Sequence, residues 1–325
     1  MANAHSVLEL ALEHVESEEV RNLGWMLSKI LGDDISFDKK GQAEIAQGVA
    51  EDRIISVIDP EMRHGRKSST QRFNGHKLHV VEEPSNKLLV DVEIGAGNEQ
   101  DGKKLLPMIE ETEEHSGIEV DAVIGDGTYG TGDNRAECAK RGIDLISPLA
   151  EARGQLSKSQ FHIDLERQQV ICPERHTISR WRWTKDPKKR KVRHFRFPDE
   201  VCLNCPRHQE CIGEHTKGRC ITLHYQEAHL MATRERQERE DFQETYCIRS
   251  KIESKIGELV RHGLRQSCYI GLEKTELQTL WTGAGVNLKR LFKLAEGEVC
   301  FIQDALDRLF ARRTANLYLY ESSAL

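Results

Sequence analysis

No stretch of this chain approaches the ~18 uninterrupted apolar residues that a membrane-spanning helix needs. The N-terminus lacks a basic start followed by an apolar run, so no secretory leader is expected. Positive charge is not in excess either: 47 Lys and Arg stand against 53 Asp and Glu, a formal net charge of −6. A basic domain is the usual footprint of a nucleic-acid binder, so the average argues mildly against one. What these absences leave is a cytosolic globular protein with no membrane partner. The 31% charged and 38% hydrophobic residues fit that class. A chain of 325 residues is long enough for one large domain or two ordinary ones with a real core.

Charge is distributed unevenly. Between Lys185 and Arg196 the chain carries Lys185, Lys188, Lys189, Arg190, Lys191, Arg193 and Arg196 against one acid, Asp186, whereas Glu110 to Glu119 is acidic. A polyanion responds to the local field and not to the sum, so the basic run is a phosphate-backbone candidate. Trp181 and Trp183 lie beside it. A solvated hairpin tip explains the same run almost as well.

Hydrophobic periodicity gives a coarse map. Residues 6–31 read as helix. Ile54 to Ile58 reads as a buried strand, and Asp59, held extended by Pro60, closes it. Arg63, His64, Arg66, Lys67 and Arg72 crowd a polar loop. Lys77–Val81 and Leu88–Ile94 read as a hairpin around residues 82–86. Lys103–Glu114 reads as helix, Val120–Ile124 as a strand ending at Gly125-Asp126-Gly127, Arg135–Arg141 as a short helix and Ile143–Ile146 as a strand. A helical pattern returns over Asp241–Leu264, and a last helix is expected over Glu276–Leu294. The order of these elements predicts an α/β fold, RNase H-like, with a mixed five-stranded sheet flanked by helices and a β-rich, Cys-containing insertion. The expected divisions are a helical lead-in over 1–52, the first part of the core over 53–149, the insertion over 150–240, and the rest of the core with C-terminal helices over 241–325.

Asp59 and Asp126 each end an apolar strand, which is how one sheet can present two carboxylates side by side. Asp121, at the other end of its strand, is about 16 Å away at ~3.3 Å per residue and is set aside. Two divalent ions, about 3.5–4 Å apart, need only a few such hard oxygen ligands to hydrolyse a phosphodiester. Tyr246, Arg249 and Glu253 are spaced three and then four residues apart, on one helical face at ~100° per residue. On that face Glu253 can complete a metal site and Arg249 can fork onto a phosphate. An ordinary Arg–Glu pair one turn apart gives the same spacing, and most aspartates after strands are turn formers or caps.

In combination these segments resemble bacterial insertion-sequence transposases of the DDE type. Asp59-Pro60-Glu61-Met62-Arg63 with Asn74-Gly75-His76-Lys77 is similar to that family's first catalytic strand and hairpin. Asp126-Gly127-Thr128-Tyr129 resembles its second catalytic segment, and Tyr246-x2-Arg249-x3-Glu253 its Tyr-Arg-Glu-Lys signature. His262-Gly263-Leu264-Arg265 and Asn287–Leu291 also look familial. The resemblance covers roughly residues 55–295. It implies catalytic Asp59, Asp126 and Glu253 holding Mg²⁺ or Mn²⁺. It also implies DNA contacts from Tyr246, Arg249, Arg261, Arg63 and Lys77. Its expected partners are double-stranded transposon ends and target DNA, cut and rejoined by a homodimer in the bacterial cytoplasm, at the nucleoid. The signature's Lys, seven positions after Glu253, is Val260 here, and Arg261 stands next to it. Only 58 residues precede Asp59, where the family carries a substantial DNA-binding domain, so that region is expected to be absent or truncated. A DNA-binding regulator without catalysis and a nuclease that never joins strands remain alternatives.

The insertion offers Cys172 and then Cys202-x2-Cys205-x5-Cys211, four of the nine cysteines. Tetrahedral Zn²⁺ accepts four thiolates, and Cys-x2-Cys is a common half-site. His176 or His208 can replace one of them, with Cys220 a weaker donor. Four unbound thiols in a reducing compartment are the other reading.

Overall fold

Ser17 starts the first long helix. Its hydroxyl accepts from Val20 N–H at 3.4 Å, and Glu18 and Glu19 complement the dipole in the first turn. The structure, a computed structural model, describes residues 6–10, 16–46, 50–67, 70–150, 156–186, 190–212, 217–295 and 314–323. Helix α1 (Glu18–Asp34) leads into a hairpin of β1 (Ile35–Phe37) and β2 (Ala43–Ile45). Residues 6–10 are helical too. The single helix expected over 6–31 is therefore interrupted by the Ser17 cap, and residues 11–15 lie outside the described ones.

An antiparallel meander follows: β3 (Arg63–Arg66), β4 (Arg72–Glu83) and β5 (Leu88–Ala96). Then come α2 (Leu105–Ser116), closed by Gly117 at φ 67°, and β6 (Glu119–Gly125). Next, α3 (Gly132–Arg141) has Thr131 as N-cap, and β7 (Asp144–Ile146) pairs parallel to β6. Residues 75–82 of β4 are all buried. That continuous pattern, without alternation, fits a strand covered on both faces. On one face Leu105, Met108 and Ile109 of α2 pack with Val81 and Val123. On the other, Leu78 and Val80 meet Leu259, Leu264 and Val286 from the C-terminal helices.

Next come β8 (His162–Asp164), β9 (Gln169–Ile171), β10 (Thr177–Ile178), β11 (Trp181–Lys185), β12 (Lys191–Arg196), α4 (Asp199–Leu203), α5 (His208–Ile212) and β13 (Cys220–Leu223). They form two three-stranded sheets, β10-β9-β8 and β11-β12-β13. Their hydrophobic cluster is drawn from residues 156–223 and is centred on Val170, Phe195, Phe197 and Leu223.

The chain then runs through α6 (Glu227–Gln237), α7 (Glu240–Cys247), α8 (Ser250–Leu259), a turn at Val260–Leu264 and α9 (Leu272–Ala295) to β14 (Thr314–Ser323). The helix expected over Asp241–Leu264 is in fact three pieces. Ile248, Arg249 and Ile252 N–H bond the carbonyls three residues back, which tightens the backbone between α7 and α8. The second break is at Gly263, whose φ of 99° is left-handed.

Strand β14 lies between β4, antiparallel, and β6, parallel. Among the described residues, the largest sheet thus has six strands in the order β3-β4-β14-β6-β7 with β5 on β4, where five were expected. Ile54–Ile58 is not a strand. Ile54 is buried, but Val57 and Ile58 are 58% and 71% exposed. The reason is pairing. β4 and β6 already use their facing edges on β14, so this apolar run has no backbone partner there.

Candidate carboxylate site

Asp126 follows directly on β6, in a turn tied down from several sides. Tyr129 N–H bonds the Asp126 carbonyl at 3.0 Å, Ser147 Oγ donates to it at 2.7 Å, and Thr128 N–H reaches the carboxylate Oδ1 at 3.3 Å. Behind the turn, Asn134 Nδ2 donates to the Tyr129 and Gly102 carbonyls, both at 2.7 Å. The buried Arg135 guanidinium donates to Gly130 O at 3.0 Å and Ser147 O at 2.6 Å. Tyr129 is fully buried, its hydroxyl 2.8 Å from His79 Nδ1. Burial pushes His79 down to about 4, so this ring is neutral at physiological pH. A Cβ on Gly130 would fall 2.2 Å from Arg135 Nη2 and 2.4 Å from Ser147 Oγ, so a side chain there would displace these two hydrogen-bonding groups. The Asp126 carboxylate itself stays 48% exposed.

α7 and α8 bring the second acid. Phe242 and Ile252 pack on Ile124 and Ile146, with Tyr246 and Ile248 beside them, so this helix pair lies against the C-terminal ends of β6 and β7. There Arg249 donates to Asp126 Oδ2 at 3.3 Å and lies 3.7 Å from Glu253 Oε1. One guanidinium thus bridges two acids from distant parts of the chain. Its carbon sits 5.9 Å from the Tyr246 ring, which stacks on Phe242 at 5.9 Å. Burial raises the Tyr246 hydroxyl pKa, and Arg249 opposes the rise. Glu253 is 59% exposed, so both acids that Arg249 contacts are open to solvent.

Asp59 is placed elsewhere. It is buried in the turn before β3, where its Oδ2 accepts from Gly271 N–H at 3.2 Å and its Oδ1 from Glu61 N–H at 3.2 Å. Glu61 Oε2 accepts from Leu272 N–H at 2.7 Å. These two carboxylates receive the first N–H groups of α9, as capping groups borrowed from another segment. Buried His76 Nε2 lies 3.5 Å from Asp59 Oδ2. Among the described residues, no group of three or more His, Cys, Asp or Glu is arranged to hold a metal ion. The structure brings Asp126 and Glu253 together through Arg249, and Asp59 is engaged at the start of α9.

The basic residues also divide. Arg63 donates to Pro60 O at 2.5 Å and Met62 O at 2.9 Å, buttressing the Asp59 turn. Lys77 is buried against Asp101 Oδ1 at 2.6 Å and Glu99 O at 2.9 Å. Arg261 is exposed in the turn after α8. On the β11–β12 hairpin, Arg182 pairs with His194 and Lys185 with Lys191, and Trp181 meets Trp183 edge-on at 5.1 Å.

Cys172, Cys202, Cys205 and Cys211 are free thiols that line one cavity of about 30 Å³, together with His176, His208 and Arg219. Burial pushes the Cys202 and Cys211 thiols up. Cys220 lies apart on β13.

Sequence reasoning did not single out Arg135, Asn134, Ser147, His79 or Arg219. None sits in a recognisable motif. Their roles arise from turns and helices that meet only in three dimensions, and the one local signal was the glycine at position 130 beside Asp126-Gly127-Thr128-Tyr129.

Residues 171–292 match the family model described as a transposase DDE domain, and that match supports a DDE-type transposase. The matched stretch contains the four cavity cysteines, Tyr246, Arg249 and Glu253, while Asp59 and Asp126 precede it. No curated protein and no solved structure matches the chain. Among the described residues, no helix is long and apolar enough to cross a membrane.

Proposed function

We propose that this relative of DDE-type transposases cuts double-stranded DNA at insertion-sequence ends and joins the freed 3′ ends to target DNA. The observation that carries the proposal is the Arg249 bridge, 3.3 Å from Asp126 and 3.7 Å from Glu253, which holds two exposed carboxylates next to one guanidinium. Two hard, solvent-facing acids match the donor class of Mg²⁺ or Mn²⁺, the divalent ions that DDE transposases generally use. Asp126 and Glu253 would hold such an ion, and Asp59 would complete the set on leaving the start of α9. When bound, the ion supplies charge neutralisation at the phosphodiester and a more acidic water. Arg249, released from the acids, binds the phosphate flanking the cut in a planar fork. Tyr246 borders the same face, while the exposed Arg261 and the β11–β12 hairpin would extend the contact along the DNA backbone. The reading includes an RNase H-like core interrupted by an insertion over 150–240, a second copy of the chain as partner, and action in the bacterial cytoplasm at the nucleoid. Zinc belongs to the insertion and takes part in no step of this chemistry.

The engagement of Asp59 by Gly271 N–H favours a second reading, a DNA-binding regulator that does not cut. A nuclease that hydrolyses without joining is separated by strand transfer from pre-cut ends. For the main choice, the test is nicking of supercoiled plasmid by the purified chain in Mg²⁺. The transposase reading expects nicking that disappears in Asp126→Asn and Glu253→Gln, with DNA binding retained. DNA binding without Mg²⁺-dependent nicking in the parent chain would establish the regulator instead.

A further inference from the structure

The cysteine cavity lies in the insertion, separate from the carboxylate site. Its four thiols come from three structural pieces: the turn after β9 (Cys172), the end of α4 and the turn beyond it (Cys202, Cys205), and α5 (Cys211). None is in a disulfide. Two sulfurs already accept backbone N–H groups: Cys172 Sγ from His176 at 3.3 Å and Cys202 Sγ from Arg219 at 3.4 Å. A neutral thiol is a weak acceptor, whereas a metal-bound thiolate is a good one, so these amides are placed for the charged form. The turn carrying Cys172 is held by Arg175 N–H to Cys172 O at 2.8 Å, with Arg175 at φ 65°, a conformation that non-glycine side chains rarely adopt. On the cavity wall, the buried Arg219 guanidinium donates to Cys211 O at 2.8 Å and Leu156 O at 2.7 Å and lies over the Phe161 ring at 5.3 Å. Arg219 lines the same cavity as the four cysteines. His208 Nδ1 is 2.7 Å from Cys202 O, so that nitrogen is already occupied.

We propose that Cys172, Cys202, Cys205 and Cys211 bind one structural zinc ion in a closed tetrahedral site, and that Arg219 offsets the negative charge of the tetrathiolate. The donor class selects zinc over the hard ions of the carboxylate site: thiolates suit Zn²⁺ and carboxylates suit Mg²⁺. Four protein ligands leave no open position, so the ion is structural. The four cysteines line one cavity without yet forming a coordination sphere, so binding the ion requires their sulfurs to draw together. Uptake releases the thiol protons, so affinity falls as pH drops. The bound ion would tie the β9 turn, α4 and α5 into one unit, in a module whose two sheets have only three strands each. This inference is independent of whether the chain cuts DNA.

The test is the zinc content of the full chain, expressed in zinc-supplemented medium and assayed by elemental analysis and by mercurial release into a colorimetric chelator. The expected result is one zinc per chain. Cys202→Ser with Cys205→Ser should bring it near zero, and Cys247→Ser should leave it unchanged. If the double variant fails to fold, Co²⁺ substitution of the parent chain keeps the proposal testable, because a tetrahedral thiolate site gives sulfur-to-cobalt charge-transfer absorption. A parent chain that holds no zinc and, once reduced, takes up neither Zn²⁺ nor Co²⁺ would overturn it. So would zinc retained in full by a folded double variant.

Discussion

Arg249 lies close to both Asp126 and Glu253, and the two contacts differ from a simple surface pair because they converge on one guanidinium that is only 17% exposed. Exposed ion pairs contribute about 0–1 kcal/mol each, so stability alone is a small return for this arrangement. A phosphate-binding role predicts that Arg249→Lys, which keeps the charge and loses the fork, lowers Mg²⁺-dependent nicking by roughly 10²-fold while shifting the unfolding midpoint little. Plasmid nicking beside thermal denaturation checks both parts. Glu82 is a contrasting residue. It is buried in β4, and burial raises its carboxyl to about 7 despite the opposing charge of Lys255. A carboxyl whose folded pKa is raised stabilises the fold below its unfolded value and loses that contribution as pH climbs through the folded one. Stability from Glu82 therefore fades between about pH 4.5 and 7. Glu82→Gln should raise the melting temperature at pH 8 and change it far less at pH 4.5, as read by calorimetry.

At the scale of elements, two features of the site depend on backbone groups. The start of α9 borrows Asp59 and Glu61 as acceptors for Gly271 and Leu272 N–H. Asp59→Ala should therefore cost about 0.5–2 kcal/mol of stability, the usual range for a lost cap, measured by urea unfolding. The Asp126 turn is legible in sequence because Val120–Ile124 is a compact apolar strand followed at once by Gly125-Asp126-Gly127, and local chemistry alone dictates that a strand ends there. Ile54–Ile58 carries a similar local signal and forms no strand. Strand formation requires a neighbouring backbone, and the facing edges of β4 and β6 are taken by β14 from the far end of the chain, a non-local fact that periodicity does not encode. The face shared by Tyr246, Arg249 and Glu253 was legible too, although the helix breaks at Ile248 and Arg249. A tightened i−3 turn alters the rotation little, so the three side chains still lie together.

For the whole molecule, the net charge of −6 conceals a division of labour. The β11–β12 hairpin has Arg182 paired across from His194 and Lys185 across from Lys191, on a module with its own hydrophobic cluster. If this hairpin follows a phosphate backbone, DNA affinity falls steeply with salt, by about 0.9 in log–log slope per phosphate contact. Lys191→Ala should reduce that slope by about one without changing sequence preference, as read by fluorescence anisotropy across a salt series. The sequence displayed this patch and the cysteine spacing, but not the two-sided burial of β4, whose buried residues 75–82 include His76, Lys77, His79 and Glu82. It gave no sign of the polar scaffold of Asn134, Arg135 and Ser147 behind Asp126, because each forms hydrogen bonds to carbonyls that only the folded chain brings near.

The account rests on Asp126 and Glu253 sharing a divalent ion in place of the guanidinium that now spans them. The most direct measurement is anomalous diffraction from a crystal of the chain soaked in Mn²⁺. A peak between the two carboxylates, with Arg249 turned away from them, is the predicted result. Arg249 still spanning both acids at saturating Mn²⁺, with no peak between them, would contradict it.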